Sequence, residues 1–405
     1  MKHIFTMGIF IAFSVTVTAQ LDSDIVTTGP AYQNQVWYSM EHGEVGSAPL
    51  NNWDIAFEVS GFTASIRTNN QKGLEVYQTP YAVADWEVVD TTGMTSSWSK
   101  LYNSNTRWSE GALNRFPTND FDLGWGMYNP ITHAVVGDSI QVIKLANGEF
   151  KKFRMESLAG GVYTFTFSNL DGSGTITASI DKTDYSGKNF AYYSIENQEA
   201  LDREPNSADW DITFCKYIAE VQGQPYGVSG VLHNYGVSVN QVEGVAIDEA
   251  EPWTGDFQEE INTIGYDWKS FDFMSGEFLI TEDLSYFIWT ATGDIYQLVF
   301  TGFGGSANGD YEFGFESYSA LNTETEWKES LSIFPNPVSN GELNIQGIPA
   351  NARITVFDIT GAVVRNVQTN EAERTTLITA DLNPGTYLLS VQGETTVRTL
   401  KFVIQ

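Results

Sequence analysis

The chain has 405 residues, 42% of them hydrophobic, and a net charge of −30 from 21 Lys and Arg against 51 Asp and Glu. At ~150 residues per domain the length suggests two to three domains, and the apolar content is enough to build cores rather than an acidic disordered tail. The acidity excludes nucleic acid and anionic lipid as partners, and one Cys with four His excludes a disulfide framework or a Cys/His zinc cluster.

Residues 1–19 read as a signal peptide. Lys2 supplies the positive start, Ile4 to Val17 is mostly apolar, and Val17-Thr18-Ala19 is a small-residue cleavage site. Gln20 is the expected first mature residue. No Cys follows the apolar run, which argues against a lipoprotein signal. The run is short for a spanning helix and no later segment approaches ~20 apolar residues, so no transmembrane segment is expected.

Strand signals dominate the mature chain. Residues 153–157 and 162–168 alternate or nearly alternate across the turn cluster Leu158–Gly161. Residues 296–301 and 311–317 repeat that arrangement across the Gly-rich segment 302–309. Asn147-Gly148 is a hairpin dipeptide flanked by β-formers. Short helices are expected only around 108–114 and 255–261. The class is all-β.

One unit occurs twice. Val36–Glu44 resembles Ala191–Glu199, and Trp53-Asp54-Ile55-Ala56-Phe57 matches Trp210-Asp211-Ile212-Thr213-Phe214. Residues 141–150 align with 286–295, and both halves end in the Gly-rich turn and aromatic strand. The period is too long for a solenoid, so two tandem β domains are expected, 28–182 and 186–321. Trp53, Trp210, Phe57 and Phe214 are expected in cores, with Trp and Ile on one face and Asp and Phe on the other. A lone thiol in an oxidising compartment, Cys215, is expected to be either buried or a liability.

Residues 322–330 are polar and read as a linker. Residues 331–405 then show short strands with Gly and Pro turns, as in a small Ig-like β-sandwich. This tail holds six acids and five bases, so the acidity belongs to residues 20–330, with 45 acids and 15 bases.

The tail resembles the type A C-terminal sorting domain of type IX secretion. The carrying motifs are Phe334-Pro335-Asn336-Pro337, then Val356–Gly361, Leu382–Tyr387 and Lys401-Phe402-Val403. The resemblance implies export across the outer membrane of a Gram-negative bacterium by that machinery, removal of the tail, and a body anchored at the surface or released. The repeated body resembles the HmuY family of secreted haem-binding proteins. It does so through Trp37-Tyr38-Ser39, Asn52–Phe57 and Ile66–Asn70 in the first copy, and Tyr193-Ser194, Trp210–Phe214 and Tyr286–Tyr318 in the second. The resemblance implies all-β domains that hold haem through two axial His or Met side chains.

Haem iron takes a His nitrogen or Met sulfur. In the first copy the interval corresponding to the family pocket offers Met94, Met127 and His133. Arg67 and Arg107, with Lys100 and Arg115, are the cations that could meet the propionates. The second copy offers His233 and Met274, while His42 is expected in solvent. Two functions fit. The first is a secreted surface protein binding haem or porphyrin through copy one. The second is a non-enzymatic glycan- or protein-interaction module on the same fold without haem. Asp171–Thr175 resembles half a calcium loop but lacks the closing Glu, and reads as a hairpin turn. No nucleotide, zincin or serine-hydrolase motif occurs, so no enzyme is expected.

Overall fold

The computed structural model describes residues 21–61, 63–318, 331–339, 341–348, 352–358, 362–369, 373–393 and 397–405. The expected signal peptide (1–19) and linker (322–330) lie outside the described residues. The chain divides into two compact units, 1–318 and 319–405. Both are antiparallel β. The one α-helical element among the described residues is the turn Gly305–Asn308. Segment 255–261 is not helical: Gln258 exchanges backbone hydrogen bonds with Val239, which draws the segment out along a strand. Around 108–114 only the 3-10 turn Ala112–Asn114 forms, after an extended Gly111.

The body is built on four sheets making two sandwiches, with a separate two-stranded sheet of Lys269–Asp272 and Glu277–Ile280. The first sandwich packs Ile55–Glu58, Ile66–Thr68, Phe190–Ser194 and Glu199–Leu201 against an eight-stranded sheet drawn from residues 75–181. Its core holds Ile55, Phe57, Ile66, Phe153, Phe165, Ala191 and Tyr193. In the second, a sheet of Asn34–Ser39, Gly43–Pro49, Ile212–Val221 and Gln224–His233 faces a five-stranded sheet. That sheet runs in the order Asp22–Thr27, Asp310–Ser317, Ile295–Phe303, Leu284–Trp289, Ser238–Glu243. Its core holds Val36, Tyr38, Ile212, Phe214, Tyr286, Phe300 and Phe313. The expected hairpins form: Lys144 pairs with Phe150 around Asn147-Gly148, where Gly148 has φ 89°, and Ala159 pairs with Val162.

The sandwiches do not partition at the repeat boundary. Ile55–Glu58 pairs with Phe190–Ser194, and Asn34–Ser39 pairs with Ile212–Val221. Each early block thus docks beside the Trp-Asp-Ile block of the other half, in equivalent register: Tyr193 opposite Ile55, Tyr38 opposite Ile212. The outer edges of the two sandwiches match each other. Ile176–Asp181 pairs with the closing strand of the first half, and Asp22–Thr27 with that of the second.

Within the Trp-Asp-Ile blocks, Ile55 and Phe57 share a face, two residues apart, and Ala56 takes the other. This corrects the expected division. Trp53 lies ahead of the strand and turns to the Ala56 side. Asp54 clasps the pairing. Its amide donates to the Tyr193 carbonyl, its carboxylate accepts from the Ile195 amide at 2.8 Å, and Lys72 Nζ donates to it at 2.9 Å. Asp211 repeats the clasp with the Tyr38 carbonyl and the Met40 amide, at 2.8 Å for the latter.

The tail unit is a small sandwich of a three-stranded and a four-stranded sheet around Leu343, Ile345, Ile354, Val356, Leu389, Val391 and Phe402. Its first and last motifs meet. The Asn336 side chain accepts from the Val403 amide and donates to the Lys401 carbonyl, both at 3.0 Å. Residues 359–361 of the second motif lie outside the described residues.

Asp54→Ala strands the Ile195 amide and takes one of two carboxylates from the Lys72 ammonium, which keeps Glu196 at 3.0 Å. It should cost about 2–4 kcal/mol in urea unfolding of the full chain. Asp211→Ala strands only amide donors and should cost about 1–3 kcal/mol. Equal losses would show that the Lys72 pairing contributes nothing.

Candidate functional site

The two middle sheets lie back to back, and their facing sides form a seam of aromatic rings and buried charge. Ala56, Phe190 and Tyr192 come from one sheet, Trp37, Cys215 and Tyr217 from the other. Strand alternation puts these residues here, because their neighbours fill the two cores. Arg203 spans the seam. Its guanidinium donates to Gln35 Oε1 at 2.9 Å and the Pro49 carbonyl at 3.0 Å. It lies over the rings of Tyr192, Trp37 and Trp53 at 4.9, 5.2 and 5.8 Å. Burial pulls its pKa down. Glu204 accepts from the amides of Asn189 and Phe190 and from the Tyr192 hydroxyl, at 2.6, 2.7 and 2.6 Å. Those bonds favour its carboxylate, yet burial outweighs them and pushes the group up to about 7. Cys215 is buried, the first of its two expected states, and its thiol is pushed up to about 12 by burial. The cavity in the seam measures about 80 Å³. That is room for water and well short of the roughly 300 Å³ at which ligand pockets begin.

A larger cleft opens at the rim of the seam, about 680 Å³. Three segments build it. The first is the loop at 104–110. Arg67, buried, donates to the carbonyls of Ser104, Arg107 and Trp108 at 3.0, 2.9 and 3.3 Å, and lies 4.8 Å over the Trp108 ring. Trp108 Nε1 then donates across the seam to the His233 carbonyl at 2.8 Å. The second segment is 234–238. Asn234 donates to the Ser207 and Trp210 carbonyls, and the Tyr235 hydroxyl donates to Glu58 at 2.8 Å. The third is 257–261. It is held by the Ile261 amide on the Thr106 carbonyl and by the His233 ring on the Glu260 carbonyl at 2.8 Å. The lining combines half-buried Trp108, Tyr235 and Phe257 with Arg107, Gln258, Glu259 and Glu260.

The expected haem-site residues are dispersed relative to this cleft. Arg107 lines it and donates to Glu110 at 3.1 Å. Arg67 stands behind it with its donors committed to backbone carbonyls, so it braces a loop. Met94 is buried against Tyr77, Trp86, Ile140 and Val142. Met127 lies on strand Gly126–Asn129. His133 sits in the turn before Ala134–Gly137, exposed, its ring on the Tyr128 hydroxyl at 2.8 Å. None of the three lines the cleft or the seam cavity. Lys100 is 3.0 Å from Glu75 and Arg115 is 3.8 Å from Glu110. In the second half His233 is buried with both ring nitrogens against backbone carbonyls, and Met274 is 95% exposed at a hairpin tip. His42 is exposed, as expected. Asp171 accepts from Ser173 and closes a hairpin turn. Among the described residues no group of three His, Cys, Asp or Glu side chains could hold a metal ion. Nor is any helix long and apolar enough to cross a membrane.

Fold and tail together define an all-β protein carrying an export signal at its C-terminus. Residues 332–405 match the family described as the secretion system C-terminal sorting domain, so the tail is a sorting domain. It directs the chain through the type IX machinery to the cell surface or the medium. No curated protein matches the chain. One solved structure with some likeness is PorZ, described as an essential bacterial surface component of the type-IX secretion system of human oral-microbiomic Porphyromonas gingivalis. Its identity is 11%, with 69% of this chain and 41% of that chain covered, at a TM-score of 0.19. The chain thus spans about two fifths of the length of that protein, and a TM-score so low supports neither a shared fold nor a shared role.

The buried Glu204 predicts a pH dependence. The folded carboxyl holds its proton more tightly than the unfolded one. Its stabilising contribution is therefore full below about pH 4.5 and is lost as pH rises through about 7. In urea unfolding at pH 5 and pH 8, wild type should lose on the order of 3 kcal/mol more than Glu204→Gln over that interval. Parallel pH profiles would refute it.

Proposed function

We propose that the exported body is a non-enzymatic surface binding protein that takes a carbohydrate in the cleft between segments 104–110 and 257–261. The observation that carries this is the cleft itself. Its volume of about 680 Å³ falls within the range of small-molecule sites. Its lining pairs half-buried aromatic side chains, whose apolar surface suits the C–H face of a sugar ring, with planar amide, guanidinium and carboxylate groups, which suit ring hydroxyls. The site is preorganised, because Arg67, Asn234 and His233 each hold one segment by backbone hydrogen bonds. A ligand entering it orders little of the protein.

Labelled full-length protein on a glycan array should retain a defined set of glycans. Arg107→Ala and Trp108→Ala should each weaken binding to that set about tenfold or more, the equivalent of about 1.4 kcal/mol. An empty array, or variants with wild-type binding, would remove the reading.

A second reading is haem binding, as the HmuY-like blocks imply. Met127, half-buried, and His133, exposed, support it by lying on one hairpin. Titration with haemin should then give a Soret shift that His133→Ala abolishes. An unshifted spectrum, or one indifferent to that variant, counts against it.

A further inference from the structure

The cleft does not end at Phe257. That ring packs edge-on against two tryptophans outside the cleft, with centroids 6.0 Å from Trp253 and 5.3 Å from Trp289. The tryptophans stand 6.4 Å apart at 89° to each other. Trp253 is 63% exposed and Trp289 41%, in a body whose other tryptophans are buried or half-buried wherever described. Two indoles left in solvent side by side mark a contact surface.

The cluster is also held in place. Trp289 is the last residue of its strand and pairs with Ser238, itself on the cleft wall. The Trp253 loop is fixed by Asn240 Nδ2 on the Pro252 carbonyl at 2.7 Å, and Gln258 and Val239 exchange backbone hydrogen bonds at 2.8 and 3.0 Å. The rings thus form a stiff platform continuous with the cleft through Phe257.

We propose that the cleft and the Trp253–Phe257–Trp289 platform together bind an extended, uncharged polysaccharide chain. This rests on the carbohydrate reading of the cleft and adds the length and charge of the ligand. Length follows from continuity, since a single sugar can sit within the cleft without reaching the tryptophans, whereas a chain meets Trp108, Phe257 and then Trp289 and Trp253. Charge follows from the surroundings. Glu259 and Glu260 line the cleft, the exposed Glu249, Glu251 and Asp256 lie close in the chain to Trp253 and Phe257, and the cation on the cleft wall, Arg107, is already engaged by Glu110. An anionic chain meets repulsion along that path.

The test is affinity electrophoresis of the full-length protein in gels holding laminarin, galactomannan, xyloglucan or alginate. Titration calorimetry then compares the retarding polymer with the disaccharide of the same linkage. At least one neutral polymer should retard the wild type and alginate should not. The Trp253→Ala/Trp289→Ala pair should weaken polymer binding about tenfold or more and disaccharide binding far less. Trp289→Phe should restore part of the polymer affinity. The polymer should also shield the exposed tryptophans from acrylamide quenching. If polymer and disaccharide bind alike and the double variant weakens neither selectively, the extension is wrong while the cleft reading stands. Retardation by alginate alone overturns the neutral assignment. If no gel retards the wild type, the extension falls, and the glycan array alone decides the cleft reading.

Discussion

The body depends on one pairing made twice: an early strand of each half hydrogen-bonds to the Trp-Asp-Ile strand of the other. Ile55–Glu58 with Phe190–Ser194 completes one core, and Asn34–Ser39 with Ile212–Val221 completes its counterpart. Because side chains alternate along each strand, this pairing settles what both faces see. Ile55, Phe57 and Tyr193 go inward to the first core. Ala56 and Tyr192 go outward to the seam. The carboxylates of Asp54 and Asp211 then fix the register by accepting the amides just past the partner strands. A slip of one residue would turn Tyr192 into the core and Tyr193 into the seam.

The seam is unusual in carrying buried charge in an all-β protein. Arg203 is stabilised by three ring faces and two oxygens, and desolvated cation–π contacts are worth about 2 kcal/mol. Arg67 has no carboxylate beside its guanidinium and instead satisfies three carbonyls of one loop. That loop presents Trp108 and Arg107 to the cleft. The cation is committed to shaping the site from behind, where removing it would orphan three carbonyls and release the loop.

Strand blocks, hairpin dipeptides and the sorting tail are legible in the sequence because each is local: alternation, a turn residue, a motif in order. The pairing partners are not. Similarity between Val36–Glu44 and Ala191–Glu199 reveals that two strands are alike, and alike strands can dock in either place. The cleft escapes for a related reason, being built from segments around 108, 235 and 258 that no local pattern connects. Trp108 lies in a stretch that reads as helical, and residues 257–261 in another. One signal was available. Asn69 and Asn234 both donate to the carbonyl of the block Trp, Trp53 and Trp210. Aligning Ile66–Asn69 with Val231–Asn234 places His233 on an inward strand end rather than among metal ligands. Arg67 stands out as a cation from its motif, but its role depends on burial, which spacing does not report.

The first described strand, Asp22–Thr27, lies beside the last strand of the body, Asp310–Ser317. The loop so closed spans nearly the whole body, and closure entropy makes such a contact late to form. The five-stranded sheet lacks its edge until the final body strand has been made, so a nascent chain holds exposed strand edges throughout synthesis. Completion of the fold and arrival of the sorting tail therefore nearly coincide, since the tail comes after that last strand in the chain. In such an order, the export label becomes available only on a polypeptide whose body has every strand it needs to close.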